Sequence, residues 1–383
     1  MKLTTAAASA PRSQSGSALI ITLWVAFGLV SLALYFGHSM SLELKASENR
    51  IAGLAADQAI EGAARYAAYL LTNLETPGLL PTAQSYSRDA VSVGEATFWF
   101  VGRDPDQDSP SLPYFGLDDE SGRLDVNTAT LAMLEALPRM TPSLAAAIID
   151  WRDSDSEVTS GGAEEETYMR RNPAHRAKNA NFETLDELRL VFGMDAEVLF
   201  GEDANQNGIL DPNENDGDAS PPKDNQDGRL DPGILEYLTV APAATTTTAP
   251  GPGAARSISR VNASTASEVV LSCLPGIEKV GASALIAYRR GHLDQLGTPG
   301  WFTNALTGDG LRAANDYLTN GSTRFRADIA ALGQHGRGYR RQRFVFDLSS
   351  GTPRIAARQD LTPLGWALGR EARQKVQVAQ RNP

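Results

Sequence analysis

A single cysteine, Cys273, stands among 383 residues, so no disulfide can form within the chain and thiol usage marks no redox compartment. Cys273 falls in the apolar pattern of a helix and reads as a small core residue rather than a nucleophile. The four histidines, His38, His175, His292 and His335, are too scattered for the short spacings of an imidazole metal site. With no nucleophile–base constellation either, an enzyme is not expected. Positive charge is scarce as well: 35 Lys and Arg face 46 Asp and Glu, a net charge of -11. Phosphate binding needs clustered cations, so nucleic acid is not expected as the main partner. The acid is concentrated. Between Glu202 and Glu236 ten acidic residues meet only Lys223 and Arg229.

One long apolar run is present. From Ser13 to Leu42 no residue is formally charged, and 17–37 is largely Leu, Ile, Val, Ala and Phe. At about 1.5 Å per residue this stretch reaches roughly 30 Å, the thickness of a bilayer core. Lys2 and Arg12 precede it with no acid before Glu43, which places the N-terminus in the cytoplasm and the bulk across the membrane. No A-x-A-like cleavage site follows the run. Instead the sequence continues without a helix breaker, apart from tolerated glycines, until Pro77. Ile51, Leu54, Ala59, Ala63, Ala67 and Leu70 recur at helical spacing, so one helix over about 17–74 is expected to leave the membrane and become amphipathic.

A short, polar, basic leader ending in Gly16-Ser17, followed by this run, resembles the type IV pilin-like proteins. The resemblance implies cleavage between Gly16 and Ser17 by a prepilin peptidase, with the apolar helix kept on the mature chain. Most such proteins carry Glu at the fifth mature position; here it is Ile21, as in the K-type minor pseudopilins of type II secretion. A subunit with no neighbour above it has no amino terminus to pair with, so a membrane-buried carboxylate there would only cost free energy. The dispersed segments "IIDWRDSDSE", "GGAEEETY", "NFETLDELRLVFGM" and "LEYLTV" fall in that family's order. The resemblance implies a single-pass inner-membrane protein with a periplasmic body, the other minor pseudopilins as partners, and calcium as a bound ion.

The implied fold class is α+β: a pilin-like long N-terminal helix, transmembrane then amphipathic, packed on a small antiparallel sheet, with a large inserted α-helical domain. The divisions expected are a leader over 1–16, the membrane part of the helix over 17–40, and core over 41–126. An insertion over 127–320 follows, then core strands over 321–361 and a tail over 362–383. Within and beside the insertion lie a hairpin unit over 124–200, acidic loops over 202–236, a linker over 241–258 and a second unit over 259–320. Strands are read in "AVSVGEATFWFVGRD", "PYFGLDDESGRLDV", "STRFRADIAAL" and "RRQRFVFDLSSGTPRIAARQ". Glu120-Ser121-Gly122 is expected as a turn, Phe98, Trp99 and Phe100 as a half-buried strand, and Trp151 as core.

The insertion repeats itself. Leu124–Asp153 parallels Ser259–Arg290: each has a Val-Asn cap, a Leu-rich helix ending in Leu-Pro, a turn and an Ala/Ile-rich helix. This is a helix-hairpin-helix or SAM-like pattern. A membrane-anchored DNA-uptake protein using the hairpins is the alternative function, with Arg289 and Arg290 at the far end of the second helix. Glu278 stands in the turn where a glycine would favour phosphate, so structural packing is the expected role.

"DANQNGILDPNE" carries the sharpest chemistry. Asp203, Asn205, Asn207, the Ile209 carbonyl, Asp211 and Glu214 occupy the ligand positions of a calcium loop, with Gly208 at its sharp turn. Oxygen-only donors and a potentially bidentate Glu favour Ca²⁺. A degenerate repeat keeps Asn225, Asp227, Arg229 (through its carbonyl) and Asp231, but has Lys223 and Ile234 where acids belong. This second site is expected to be weak or absent unless Asp224 or Glu236 substitutes. Asp153, Asp155 and Glu164 form a further candidate cluster.

Overall fold

The computed structural model describes residues 15–87, 89–104, 112–241 and 258–381. Most of the leader and the Pro/Thr-rich linker lie outside the described residues. Helix α1 (Ser15–Thr72) runs 58 residues, about 87 Å, starting and ending two residues before the expected bounds. Its most apolar window has a mean hydropathy of 2.3 and no buried residue, so the apolar half stands clear of the fold. The upper half buries Ala52, Ala56, Ala59, Ile60, Ala63, Ala64, Ala67 and Leu71. Ile51 and Leu54, expected on that face, are more than half exposed; the sheet selects the alanine stripe, whose small side chains allow close approach.

After the short helix α2 (Ala83–Tyr86) come β1 (Val91–Val93), β2 (Ala96–Phe100) and β3 (Asp118–Asp119). The insertion opens with β4 (Leu124–Asp125), α3 (Leu131–Glu135), α4 (Pro142–Arg152), α5 (Glu165–Met169), α6 (Ala196–Phe200) and β5 (Leu238–Thr239). Its second half holds β6 (Val261–Asn262), α7 (Glu268–Ser272), α8 (Glu278–Gly291), α9 (Gly308–Tyr317) and β7 (Leu318–Thr319). The chain closes with β8 (Arg324–Leu332), β9 (Arg340–Asp347), β10 (Arg354–Asp360) and α10 (Gly369–Arg381). Strands β1-β2-β8-β9-β10 form one antiparallel sheet, and β3 pairs with the start of β8. The fold is therefore α+β, a long helix on a small antiparallel sheet with a helical insertion.

Alternation decides the two faces of the sheet. Phe98, Phe100, Phe325, Ala327, Ile329, Phe344 and Phe346 pack with α1. On the other side Trp99, Val101, Ala330 and Leu332 are covered by Ala367, Leu368, Ala372 and Val376. Of the 362–383 segment expected as a tail, the part from Ala367 to Val376 is thus a lid on the sheet, and Phe98, Trp99 and Phe100 are all buried rather than half-buried. The expected turn at 120–122 is a single 3₁₀ turn with Glu120 buried. The loop from β8 to β9 lies directly on α1: a Cβ on Gly333 would sit 2.1 Å from the Ala52 carbonyl oxygen, so no side chain fits there.

The insertion has its own core, containing Trp151, Tyr168, Cys273 and Trp301. Burial pushes the Cys273 thiol up to about 12, which leaves it inert. Each half is clasped by a parallel strand pair, β4 with β5 and β6 with β7. Leu124 and Asp125 therefore belong to the insertion, not to the first core segment. The repeat also aligns two residues away from the shared Val-Asn. Thr130 and Ser267, not the asparagines, cap α3 and α7 through the amides of Met133 and Val270. In the same register Arg152 donates to the carbonyls of Val126 and Ala129, and Arg289 to those of Ala263 and Ala266. Arg289 is 1% exposed, so it clamps its own hairpin instead of facing a ligand.

Because alanines set the helix–sheet distance, Ala63→Leu should overpack that seam and destabilise the chain by about 1–3 kcal/mol. Thermal melts of the full chain in detergent check this; Leu54→Ala, on the exposed face, should melt like the parent.

Candidate functional site

The outer face of β8 and β9 carries charge where a core face would carry apolar residues. Arg326, Asp328 and Arg341 are at most 5% exposed. Arg326 pairs with Asp118 and, at 3.5 Å, with Glu120; Arg123 reaches Asp118 at 3.5 Å and Glu236 at 3.6 Å. Arg341 and Arg343 meet Asp328 at 2.7 and 3.1 Å. Burial disfavours the Glu236 carboxylate, yet Arg103, Arg123 and Arg326 outweigh it and hold its pKa down at about 2. This ionic layer joins sheet to insertion.

The first acidic loop rests on that layer. Asp203 accepts from the backbone amides of Asn207 and Gly208, each at 2.9 Å. Asn205 Oδ1 accepts from Asn207 N and Asn207 Oδ1 from Ile209 N, while both Nδ2 groups donate to Asp211 Oδ2. Glu214 Oε2 accepts from Asp211 N at 3.0 Å, but Glu214 Oε1 is buried without a hydrogen bond. Gly208 has φ +71°, and a Cβ there would stand 2.4 Å from Arg103 Nε. Arg341 donates to the carbonyls of Asn205 and Gln206, and Arg103 to those of Gln206 and Asn207. Burial raises the Asp203 pKa, and burial with Asp203 alongside pushes Glu214 up to about 9. Two buried acids held back from ionising, one with an orphan oxygen, fit a hard cation.

The second loop copies the first twenty residues on. Asn225 Nδ2 donates to Asp231 Oδ2, Asp227 N to Asn225 Oδ1 and Arg229 N to Asp227 Oδ1. Gln206 and Gln226 share a positive φ, as do Gly208 and Gly228. The missing acids are replaced from outside the repeat. Glu202, 2% exposed, accepts from the amides of Asp231 and Asn225, and Asn215 Oδ1 accepts from Gly228 N. Neither expected substitute is in place: Asp224 binds the amides of Asp216, Gly217 and Gln226, and Glu236 is held by Arg103 and Arg123.

Asp153, Asp155 and Glu164 come together below α4, with one carboxylate oxygen of each within 4.8 Å of the others. Among the described residues they are the one group of three carboxylates that does so. Glu164 is 4% exposed and neither of its oxygens makes a hydrogen bond; burial and Asp150 raise its pKa. The backbone of Gly16 and Ser17 lies in the first turn of α1.

Residues 119–200 match the family model described as Type II secretion system (T2SS), protein K. They run from β3 to the end of α6 and include the Asp153–Glu164 cluster. Over this segment the chain is similar to the type II secretion K proteins. Type II secretion system protein K of Klebsiella pneumoniae is 36% identical over 85 residues, 21% of this chain and 26% of that protein. The match thus spans about a quarter of that relative. The crystal structure of the GspK-GspI-GspJ complex from the enterotoxigenic Escherichia coli Type 2 Secretion System aligns at a TM-score of 0.47 and 14% identity. That alignment covers 85% of this chain and 96% of that one.

What sequence reading missed here is the ionic layer and the roles of Glu202 and Asn215. The arginine-rich strands signalled the first; nothing local signalled the second, since both residues act across sequence gaps. Asp118→Ala should leave Arg326 and Arg123 with only the longer Glu120 and Glu236 contacts in a buried site and cost about 3 kcal/mol, the low end for a broken buried pair. Asp118→Leu with Arg326→Met should recover most of that loss in thermal melts of the full chain. Equal losses in both variants would show that packing, not charge, holds the seam.

Proposed function

We propose that the chain is a non-enzymatic minor pseudopilin at the tip of the periplasmic pseudopilus of a type II secretion system. The match of residues 119–200 to the K family carries this reading. The two-part helix supports it: an apolar half clear of the fold, and an alanine-faced half bearing the body. In this reading a prepilin peptidase cleaves between Gly16 and Ser17, and the apolar part of α1 is the single inner-membrane span. The other minor pseudopilins pack beside α1. The insertion reaches the chain just past the far end of α1, where a Cβ on Gly297 would stand 3.5 Å from Thr76, and in this reading its bulk lies where a further subunit would add. The DNA-uptake alternative has no observation in its favour, since Arg152 and Arg289 are consumed within the hairpins.

Capture of the periplasmic part by the other minor pseudopilins tests the assembly; failure to bind any of them would overturn it. Gly16→Leu should leave the leader attached in intact-mass analysis of membrane protein, whereas the parent should begin at Ser17.

Calcium belongs to the same proposal. Asp203, Asn205, Asn207, Ile209, Asp211 and Glu214 would hold one ion, and Asn225, Asp227, Arg229 and Asp231 with Glu202 a second. Asp153, Asp155 and Glu164 offer a third place. A bound cation supplies the positive charge that lets these buried acids ionise. At a hundredfold excess over Kd it would stabilise the fold by about 2.7 kcal/mol.

The pH dependence has a definite sign. With Glu214 raised from 4.5 to about 9, its stabilising protonation is complete below the unfolded value and is lost as pH rises through the folded one. In chelator, melting temperature should therefore fall as pH is raised across that window, and calcium should flatten the curve. Glu214→Gln should flatten it without calcium and remove most of the calcium shift. An undiminished calcium shift in that variant would move the ion elsewhere, to the Asp153–Glu164 cluster first.

A further inference from the structure

Asn205, at the third position of the first acidic loop, faces two ways. Its Nδ2 donates to Asp211 Oδ2 inside the loop and, at 3.1 Å, to the Trp366 carbonyl 161 residues further on. Trp366 leads into the lid on the outer face of the sheet. Its indole Nε1 donates to the Gly369 carbonyl, its ring lies 5.2 Å from that of Tyr339, and Ala367 N donates to the Tyr339 hydroxyl. Gly369 opens α10 with φ +73°, and a Cβ there would stand 3.7 Å from Ile209 Cδ1. Arg341 serves both sides. Its backbone accepts from Leu361 N and donates to Thr362 Oγ1, while its guanidinium holds the carbonyls of Asn205 and Gln206. The lid thus begins against the acidic loop. Beyond Ala367 and Leu368, which are buried, its hold is slight: Ala372 and Val376 are only partly covered, and α10 touches the 334–336 turn.

We propose that the first acidic loop is a latch for this lid, and that a cation bound there sets the lid down on the sheet. The proposal rests on calcium occupying that loop. A donor for it stands ready, since Glu214 is 1% exposed and its Oε1 has no hydrogen bond. The coupling comes from shared residues. Without the ion, the carboxylates of Asp203, Asp211 and Glu214 repel one another within one short loop, which loosens the segment that presents Asn205 and Ile209. With the ion, the residues it orders are the ones that seat Trp366 and Gly369, so their conformational freedom is lost once for both events. Under the lid lie Trp99, Val101, Ala330 and Leu332, so the ion governs whether that apolar strip meets water. By linkage, a seated lid tightens ion binding by the same factor.

The test uses the full chain in detergent, with calcium or with chelator. Titration calorimetry reads ion binding, and hydrogen exchange of the 367–376 amides reads the lid. Calcium should slow that exchange by at least about fivefold, the net worth of one hydrogen bond. The amides of α8, in the other half of the insertion, should slow less. Glu214→Gln should lose one bound ion and the slowing with it. Leu368→Asn, which weakens the lid without touching the loop, should keep the ion but bind it about fivefold more weakly. Should that variant fail to fold, the exchange comparison in the parent decides alone. Calcium bound at the loop with lid exchange unchanged, or with α8 slowed equally, overturns the latch and leaves the calcium site standing. Binding undiminished in Glu214→Gln, or no binding in the parent, overturns the calcium site and the latch with it.

Discussion

The architecture depends on a buried ionic layer between one face of the sheet and the insertion. Alternating strands with one face packed on α1 would ordinarily leave the other face to solvent. Here Arg326, Asp328, Arg341 and Arg343 are covered, and each finds opposite charge or a backbone carbonyl. Such pairs add little net stability, because desolvation offsets attraction. They do add specificity. A layer in which Asp118, Glu120 and Glu236 must meet Arg326, Arg123 and Arg103 tolerates few relative positions of sheet and insertion.

The acidic loops inherit that fixed position. Arg341 and Arg103 hold the carbonyls of 205–207 from the sheet side, so the first loop is shaped by the core even where its donors come from its own sequence. The second loop leans on the first in turn: Glu202, next to Asp203, closes it by binding Asp231 N. Sheet, first loop and second loop therefore form a series in which each orders the next. A cation in the first loop would tighten the joint between the two halves of the molecule, because the same residues make both.

At the other extreme, α1 works by being plain. Its alanine stripe meets a sheet face of phenylalanines, so small residues on one side receive large ones on the other. The exposed Ile51, Leu54 and Tyr69 leave a second, partly apolar face free on the same helix.

Local pattern was enough for several features. The length of α1, the strands at either end and the duplicated hairpins are set by breakers, alternation and Leu-Pro turns, which act over a few residues. The turn of the first acidic loop is nearly as local, since Asp203 and Asn205 accept from amides two to five residues on, around Gly208. The sequence did not determine which stripe of α1 is buried, since Ile51 and Ala52 are both apolar and the sheet decides between them by distance. Nor did it separate the Val-Asn of one hairpin from that of the other; the shared register follows the Thr130 and Ser267 caps and the Arg152 and Arg289 clamps. Residues 362–383 looked like a tail because their apolar positions, Leu368, Ala372 and Val376, are few, and only a waiting sheet face gives them value. The carboxylate that completes the second loop lies 29 residues before the aspartate amide it binds, a closure that belongs to tertiary structure alone.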